Sequence, residues 1–427
     1  MVIQASSNRQ HLPALDGLRF FAAFFVMVSH YAQWTLGELG VHSPAQVVLS
    51  QFSALGMSLF FVLSGFVIHY NYHHVCTRQG GSKYFFIARF SRLYPLFFLL
   101  FSAEFILGFI HRATAACVQL GNHWGMLLAV PLHLTLTQDW VYGVICQRSY
   151  IFQYHMLSGA TWSLSCEIAF YLVYPILAYW FLAKRSTQRQ CVIAVLSYCA
   201  VLGFLFFCHF NKSHINAMAL IGFGEIANEE HHYMDSMLQW LIYFNPLVNF
   251  GGFFIGAITA NIFAGKKDVV LTPQQEKMGR WFATAMTVAL VCIHIGTYYW
   301  IATTNAFIGR TGTTLYVPMV AVTLYALVRF EGNLCSRVLG SRLLVMLGEA
   351  SYSIYLLHAF CGRWPRDLYP LGWNPWIVYA VALLGVITAS RFSYLIFEKP
   401  ARNWLRRKMA DQTTVMPNKI VALSRPN

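Results

Sequence analysis

Charge is what this sequence has least of. Asp, Glu, Lys and Arg make up 11% of its 427 residues, where soluble domains carry roughly 25%. With 57% hydrophobic residues, that shortage excludes a soluble globular chain and implies a polytopic membrane protein. Acids are the scarcer sign, 16 against 30 basic residues. The resulting excess of +14 raises nucleic acid as a partner, but the basic residues sit in loops between apolar runs, where they report topology instead. The ten cysteines contain no CxxC pair, so neither a zinc site nor a disulfide framework is readable, and no metal is expected. Cys117 and Cys146 fall on the side read as external, where a pairing is left open. A cleavable signal is also missing: the first apolar run is long, begins at Leu18 and lacks a small-residue cleavage site.

What is there is a succession of bilayer-length apolar segments. The expected class is all-α, a transmembrane helix bundle of about ten spans at 18–36, 55–72, 93–111, 162–182, 190–210, 238–263, 281–301, 315–330, 343–360 and 376–397. The segment 124–138 is apolar but short, with Pro131 and His133 inside it, and reads as re-entrant or interfacial. Alternate loops collect the basic residues: Arg78, Lys83, Arg89 and Arg92, then Lys184, Arg185 and Arg189, then Lys266, Lys267, Lys277 and Arg280, then Arg329, Arg337 and Arg342. The other loops carry few basic residues and more acids: Glu38, Asp139, Glu225, Glu229, Glu230, Asp235 and Asp367. The bias places both termini in the cytoplasm. The organisation expected is a cytoplasmic segment 1–14, a membrane domain 15–404 and a basic tail 405–427, too polar to form a core and expected to be disordered. The external loop 112–161 is rich in aromatic residues, which mark membrane interfaces as readily as sugar sites.

The most informative stretch is Leu15 to His30, LDGLRFFAAFFVMVSH. Arg19 and His30 stand eleven residues apart, about 16 Å along a helix axis and close to three full turns. They therefore project from nearly one face. Ionisable groups in a bilayer are costly and usually line a cavity or a pathway. Either residue alone has an ordinary reading, a snorkelling arginine or a core histidine; the pair on one face points to function.

Three further constellations carry polar groups into apolar segments. In 58–70, SLFFVLSGFVIHY, Ser64 and Gly65 are read as close helix packing. ARFSRLYP follows, where Arg89 and Arg92 share a face if helical and suit a phosphate clamp, since each guanidinium fork can hold two oxygens. Lys83 is read as ordinary loop charge, and Pro95 as the first turn of the next span. In TWSLSCEIAFYLVYP, Trp162 is placed at the outer interface. Ser163, Glu167 and Tyr171 recur every four residues as a polar stripe, an interhelical staple or a part of the catalytic site. In LGEASYSIYLLH, His358 ends an apolar span, and an interfacial place for it is slightly favoured. Arg391 points into the last span, to snorkel or to pair with an acid. The His73-His74 and His231-His232 pairs are read as exposed loop residues.

With these residues in view, the chain resembles the acyltransferase-3 family of membrane O-acyltransferases of surface glycans. LDGLR with the Arg19 and His30 spacing is the most specific element. FFVLSGF, RFSRLYP, WSLSCEIAFY, LGEASYSIYLLH and FEKPARNWL follow in the family's order. The resemblance implies ten spans in a bacterial inner membrane. It implies acyl-coenzyme A, most simply acetyl-coenzyme A, as cytoplasmic co-substrate, with no resident cofactor. It also implies a carbohydrate hydroxyl as acceptor, such as lipopolysaccharide or another polysaccharide. It maps the family's arginine–histidine pair onto Arg19 and His30 and its cytoplasmic arginine pair onto Arg89 and Arg92. His30 is then the general base, neutral imidazole being suited to that task near pH 7. Arg19 orients the site or binds donor, Glu167 fixes the His30 tautomer or holds a sugar hydroxyl, and Ser163, Tyr171 and His358 are secondary candidates. An acyl-histidine intermediate stays open. The competing class is a proton-coupled transporter or flippase without chemistry, separated by its indifference to acyl donor.

Overall fold

The structure, a computed structural model, describes residues 11–37, 39–41, 43–76, 81–112, 123–145, 147–152, 158–179, 186–301, 313–361 and 372–411. Cys117 and Cys146 lie outside them. Helix α1 (Pro13–Tyr31) starts with proline in its first turn and Asp16 close behind, where a fixed φ and a negative charge both suit a helix N-terminus. A π-helical turn, Ala32–Gly37, continues it. Then come α2 (Pro44–Leu49), α3 (Phe52–Cys76), α4 (Gly81–Arg112) and the short α5 (His123–Leu134). A two-stranded antiparallel hairpin, Val144–Ile145 with Arg148–Ser149, is the small β element of this helical protein.

The second half runs α6 (Ser158–Leu177), α7 (Thr187–Phe210), α8 (Lys212–Phe223) and α9 (Pro246–Lys266). It continues with α10 (Pro273–Ile301), α11 (Val317–Arg329), α12 (Leu334–Leu339) and α13 (Arg342–Glu349). It closes with α14 (Ser351–Cys361), α15 (Pro375–Ser393) and α16 (Lys399–Asp411). Among the described residues seven helices are long and apolar enough to cross a bilayer, eight if α13 and α14, bent by 59°, form one broken span. Each of the ten expected segments falls mainly on helix. On α7 the residues Val195, Leu196, Phe206, Phe207 and Phe210 are exposed, an apolar face suited to acyl chains.

Small residues bring the central helices together. A Cβ at Gly65 of α3 would land on the Phe253 carbonyl oxygen of α9, and one at Gly256 of α9 on the Val62 carbonyl oxygen of α3. The backbones therefore touch at this crossing, as the Ser64-Gly65 break predicts. A Cβ at Gly348 would likewise meet the Asp16 carbonyl oxygen, seating α13 on α1. Helix α1 is thus wrapped by neighbours along its length, with Met27, Tyr31 and Ala32 fully buried.

Several expectations are corrected. The segment holding Arg89 and Arg92 is not a loop: α4 begins at Gly81, so Pro95 lies inside it. Tertiary contacts can hold a helix together where proline removes one backbone bond. Trp162 is 4% exposed, packed on Phe61, Tyr243 and Phe244 instead of facing an interface. His73 and His74 belong to the last turn of α3, where His73 bonds the His69 carbonyl. The tail is helical through 405–411, since α16 docks on α4. Asp139, counted among the loop acids, is fully buried against Ser165. Burial pushes its carboxyl well above the usual carboxylate range.

Candidate active site

The site is built on α1 and completed from α3, α4, α6 and α14. Arg19 faces a cavity that is partly open to the surroundings. Arg89 and Arg92 of α4, Ser64 of α3, Glu167 of α6 and Tyr355 of α14 line the same space. Three arginines expected at separate points of the chain therefore meet in one cavity. The 3.6-residue repeat carries Arg89 and Arg92 to one face of α4. Arg19 is held by Asp16, Nη1 to Oδ1 at 2.6 Å. The Arg89 guanidinium is buried and lies 4.5 Å over the Tyr72 ring and 5.9 Å from that of Tyr171. Lys83 points outward and is exposed.

Glu167 accepts from Ser64 Oγ at 3.0 Å and from the Tyr171 hydroxyl. The Glu167 and Tyr171 part of the polar stripe is thus a real contact. Ser163 leaves it, bonding Tyr355 Oη at 2.7 Å. Tyr355 Oη also donates to the Ala160 carbonyl at 3.0 Å, which ties α14 to α6.

His30 lies beyond the cavity's lining. Its Nδ1 is 3.0 Å from Nε2 of His358. His358 is fully buried, so its reading as an interfacial residue is corrected: the break at Ala350 turns α14 inward and brings it to α1. Tyr31 Oη donates to the His358 carbonyl at 3.3 Å, and Tyr379 Oη to the Val28 carbonyl at 3.2 Å, fixing both backbones. The Trp34 ring stacks on His30 with centroids 4.9 Å apart. Tyr355, whose ring is 5.5 Å from His358, bridges the histidine pair and the arginine cavity. The partner of His30 is therefore His358, and the expectation that Glu167 sets its tautomer is not met. Arg391 pairs with Glu349 at 3.2 Å, away from both groups.

The sequence reading missed the histidine pairing and the part played by Ser64 and Tyr355. A signal was there for α14: Ser351, Tyr355 and His358 fall at i, i+4 and i+7, one helical face. Nothing local marked Ser64 as the Glu167 partner, because that bond joins residues 103 positions apart.

A chain with a half-buried His30 on a fully buried His358, beside an arginine-lined cavity, has the parts for moving a group from an anionic carrier to a hydroxyl. Residues 12–394 match the family described as an acyltransferase domain. The chain is similar to acyltransferase MdmB of Streptomyces mycarofaciens, 26% identical over 95% of each chain. It is 24% identical to O-acetyltransferase OatA of Staphylococcus aureus over 92% of this chain and 57% of that one, so it spans little more than half of that relative's length. It is also 24% identical to nodulation protein 10 of Rhizobium leguminosarum bv. viciae, over 92% and 93%. No solved structure matches.

Proposed function

The chain belongs to the acyltransferase family whose domain it matches over residues 12–394, and from that premise we propose that it is a membrane O-acyltransferase with His30 as general base. Its donor is cytoplasmic acyl-coenzyme A, acetyl first, as the word O-acetyltransferase in one relative's name favours. Its acceptor is a hydroxyl of an extracytoplasmic or lipid-linked carbohydrate. The Lys/Arg bias supports ten spans with both termini in the cytoplasm of a bacterial inner membrane.

The observation that carries this reading is the His30–His358 contact at 3.0 Å, next to the cavity of Arg19, Arg89 and Arg92. The guanidiniums hold the donor's phosphates, and the thin pantetheine arm crosses the cavity toward Tyr355 and the histidines. In this reading the proton of His358 sits on Nδ1 and its Nε2 accepts. His30 then donates from Nδ1 and keeps a lone pair on Nε2. That nitrogen takes the acceptor's proton as its oxygen bonds the thioester carbonyl carbon. The C–S bond breaks, and the imidazolium returns the proton to the leaving sulfur, releasing free thiol.

The test uses protein in nanodiscs with radiolabelled acetyl-coenzyme A and a glycan acceptor, reading free thiol and labelled glycan together. Arg89→Ala and Arg92→Ala should each raise the KM for donor roughly tenfold or more, the loss of charge-assisted hydrogen bonds. Unchanged KM values would remove the phosphate clamp. No thiol release across a panel of acyl donors would favour the carrier reading. His358→Ala should lower kcat by about tenfold to a hundredfold with donor KM held, because the orienting partner is lost and the base is not. A KM effect alone would sink its positioning role.

A further inference from the structure

We propose that the donor site continues beyond the cavity onto helix α16, where Arg402 and Arg406 form a second phosphate seat, one for the 3′-phosphate of the donor's nucleotide. The inference rests on the acyl-coenzyme A reading above and assigns which end of that donor goes where.

Arg402 and Arg406 are one turn apart on α16 and share a face. Both are half-buried, while Arg407 and Lys408 beside them are exposed. Like charges at this spacing oppose helix formation. The fold adds to the cost by laying that face on the arginine pair of α4: Arg406 Nε donates to Ser91 Oγ at 3.2 Å, and Nη2 reaches the Ala88 carbonyl at 3.5 Å. Ser91 stands between Arg89 and Arg92 in the chain, so α16 docks on the stretch of α4 that carries both. The Arg402 guanidinium lies 5.9 Å from the Tyr394 ring, which Arg391 also approaches at 5.3 Å and Lys399 at 6.0 Å.

The nearby acids make their direct contacts elsewhere: Glu167, in the cavity with Arg89 and Arg92, accepts from Ser64 and Tyr171. Glu398 accepts from Ser353 Oγ at 2.6 Å, Glu349 holds Arg391, and Asp16 holds Arg19. Among the described residues none of Arg89, Arg92, Arg402 and Arg406 makes an ion pair within 4.0 Å, and the Nε atoms of Arg89 and Arg402 are buried without a partner. Guanidiniums in partly desolvated positions without a direct ion pair favour an anion beside them. One phosphate does not need four. A coenzyme A thioester carries a pyrophosphate and, on the ribose, a separate phosphate monoester. Arg89 and Arg92 line the cavity that leads inward and suit the pyrophosphate, next to the arm. Arg402 and Arg406 lie on the helix outside that lining and suit the monoester, whose three free oxygens match guanidinium forks. A lipid phosphate offers the same chemistry, and the test separates the two.

The experiment measures KM for acetyl-coenzyme A and acetyl-dephospho-coenzyme A, which lacks only the 3′-phosphate, in nanodiscs of neutral lipid. Wild-type protein should prefer the phosphorylated donor by roughly tenfold or more, the size of a charge-assisted contact. Arg402→Gln and Arg406→Gln should each shrink that ratio toward one, with KM for the dephospho donor unchanged. Among the described residues Arg402 makes no hydrogen bond to α4, so its variant reads the seat even if Arg406→Gln loosens the helix; a melting temperature equal to wild type confirms the comparison. Equal use of both donors by wild type overturns the seat and leaves the acyltransferase reading standing. A wild-type protein that turns over neither donor removes both. Variants that keep the donor ratio but lose activation by added anionic lipid assign the arginines to lipid and overturn the proposal.

Discussion

Alanine at His30 is expected to lower the rate of acyl transfer by about 10²–10⁴-fold, the usual contribution of a positioned general base. The acceptor hydroxyl is a poor nucleophile at neutral pH until its proton has somewhere to go. In the proposed geometry the only lone pair free for it is His30 Nε2, since Nδ1 faces His358 at 3.0 Å. Truncation also leaves His358 Nε2 without its partner in a fully buried site, which costs about 1–3 kcal/mol. The variant must therefore be shown folded, by melting temperature and by donor binding, before its rate is read. The measurement is kcat in nanodiscs at saturating acetyl-coenzyme A. Donor KM should hold, because the proposed phosphate clamp is made by Arg89 and Arg92 and not by His30. A double variant with His358→Ala should be no slower than His30→Ala alone, as two residues acting through one proton do not add. Transfer at a tenth of the wild-type rate or better in folded His30→Ala protein would end its assignment as the base.

Alanine at Gly65 is expected to damage the fold more than any comparable exchange on the surface. Its Cβ would fall on the Phe253 carbonyl oxygen, a backbone atom that no side-chain rotation can move. Overpacking costs about 1–3 kcal/mol where side chains give way, and here α3 and α9 must part instead, so the upper end or more is expected. The reciprocal change, Gly256→Ala, meets the Val62 carbonyl oxygen and should cost as much. The pair together should cost less than the sum, since separation relieves both. Gly203 is the control: a Cβ there meets nothing within 4 Å, and alanine should be neutral or stabilising by about 0.5–1 kcal/mol. Thermal unfolding in detergent, followed by intrinsic fluorescence, checks all four. Gly65→Ala with the melting point of Gly203→Ala would show that the backbones do not touch. Activity should fall with stability, because Ser64, the next residue, bonds Glu167 across the same crossing.

Much of the architecture was legible in the chain. Apolar runs of bilayer length locate the helices because lipid leaves no other way to satisfy the backbone. The repeat of 3.6 residues placed Arg89 with Arg92 and Glu167 with Tyr171, and the cavity and the hydrogen bond agree. Glycine beside Ser64 announced a close crossing. These are short-range properties, set by residues within two turns of each other.

The errors share a cause. Taking the start of α4 at Pro95 let a local rule about proline outweigh the packing that carries the helix from Gly81. The tail looked too polar to order, yet α16 is held through Arg406 and Ser91, 315 positions apart. His358 looked interfacial because its neighbours in sequence end an apolar run. By itself, then, the sequence determined the class, the helices, the family and which helix faces carry charge. Only the tertiary structure decided that His30 meets His358 across 328 positions and that arginines from α1, α4 and α16 gather at one end. A helix is fixed by bonds to its own next turn, but a buried polar side chain takes whichever partner the packing of distant helices brings within 3 Å, and that choice is made by the whole bundle at once.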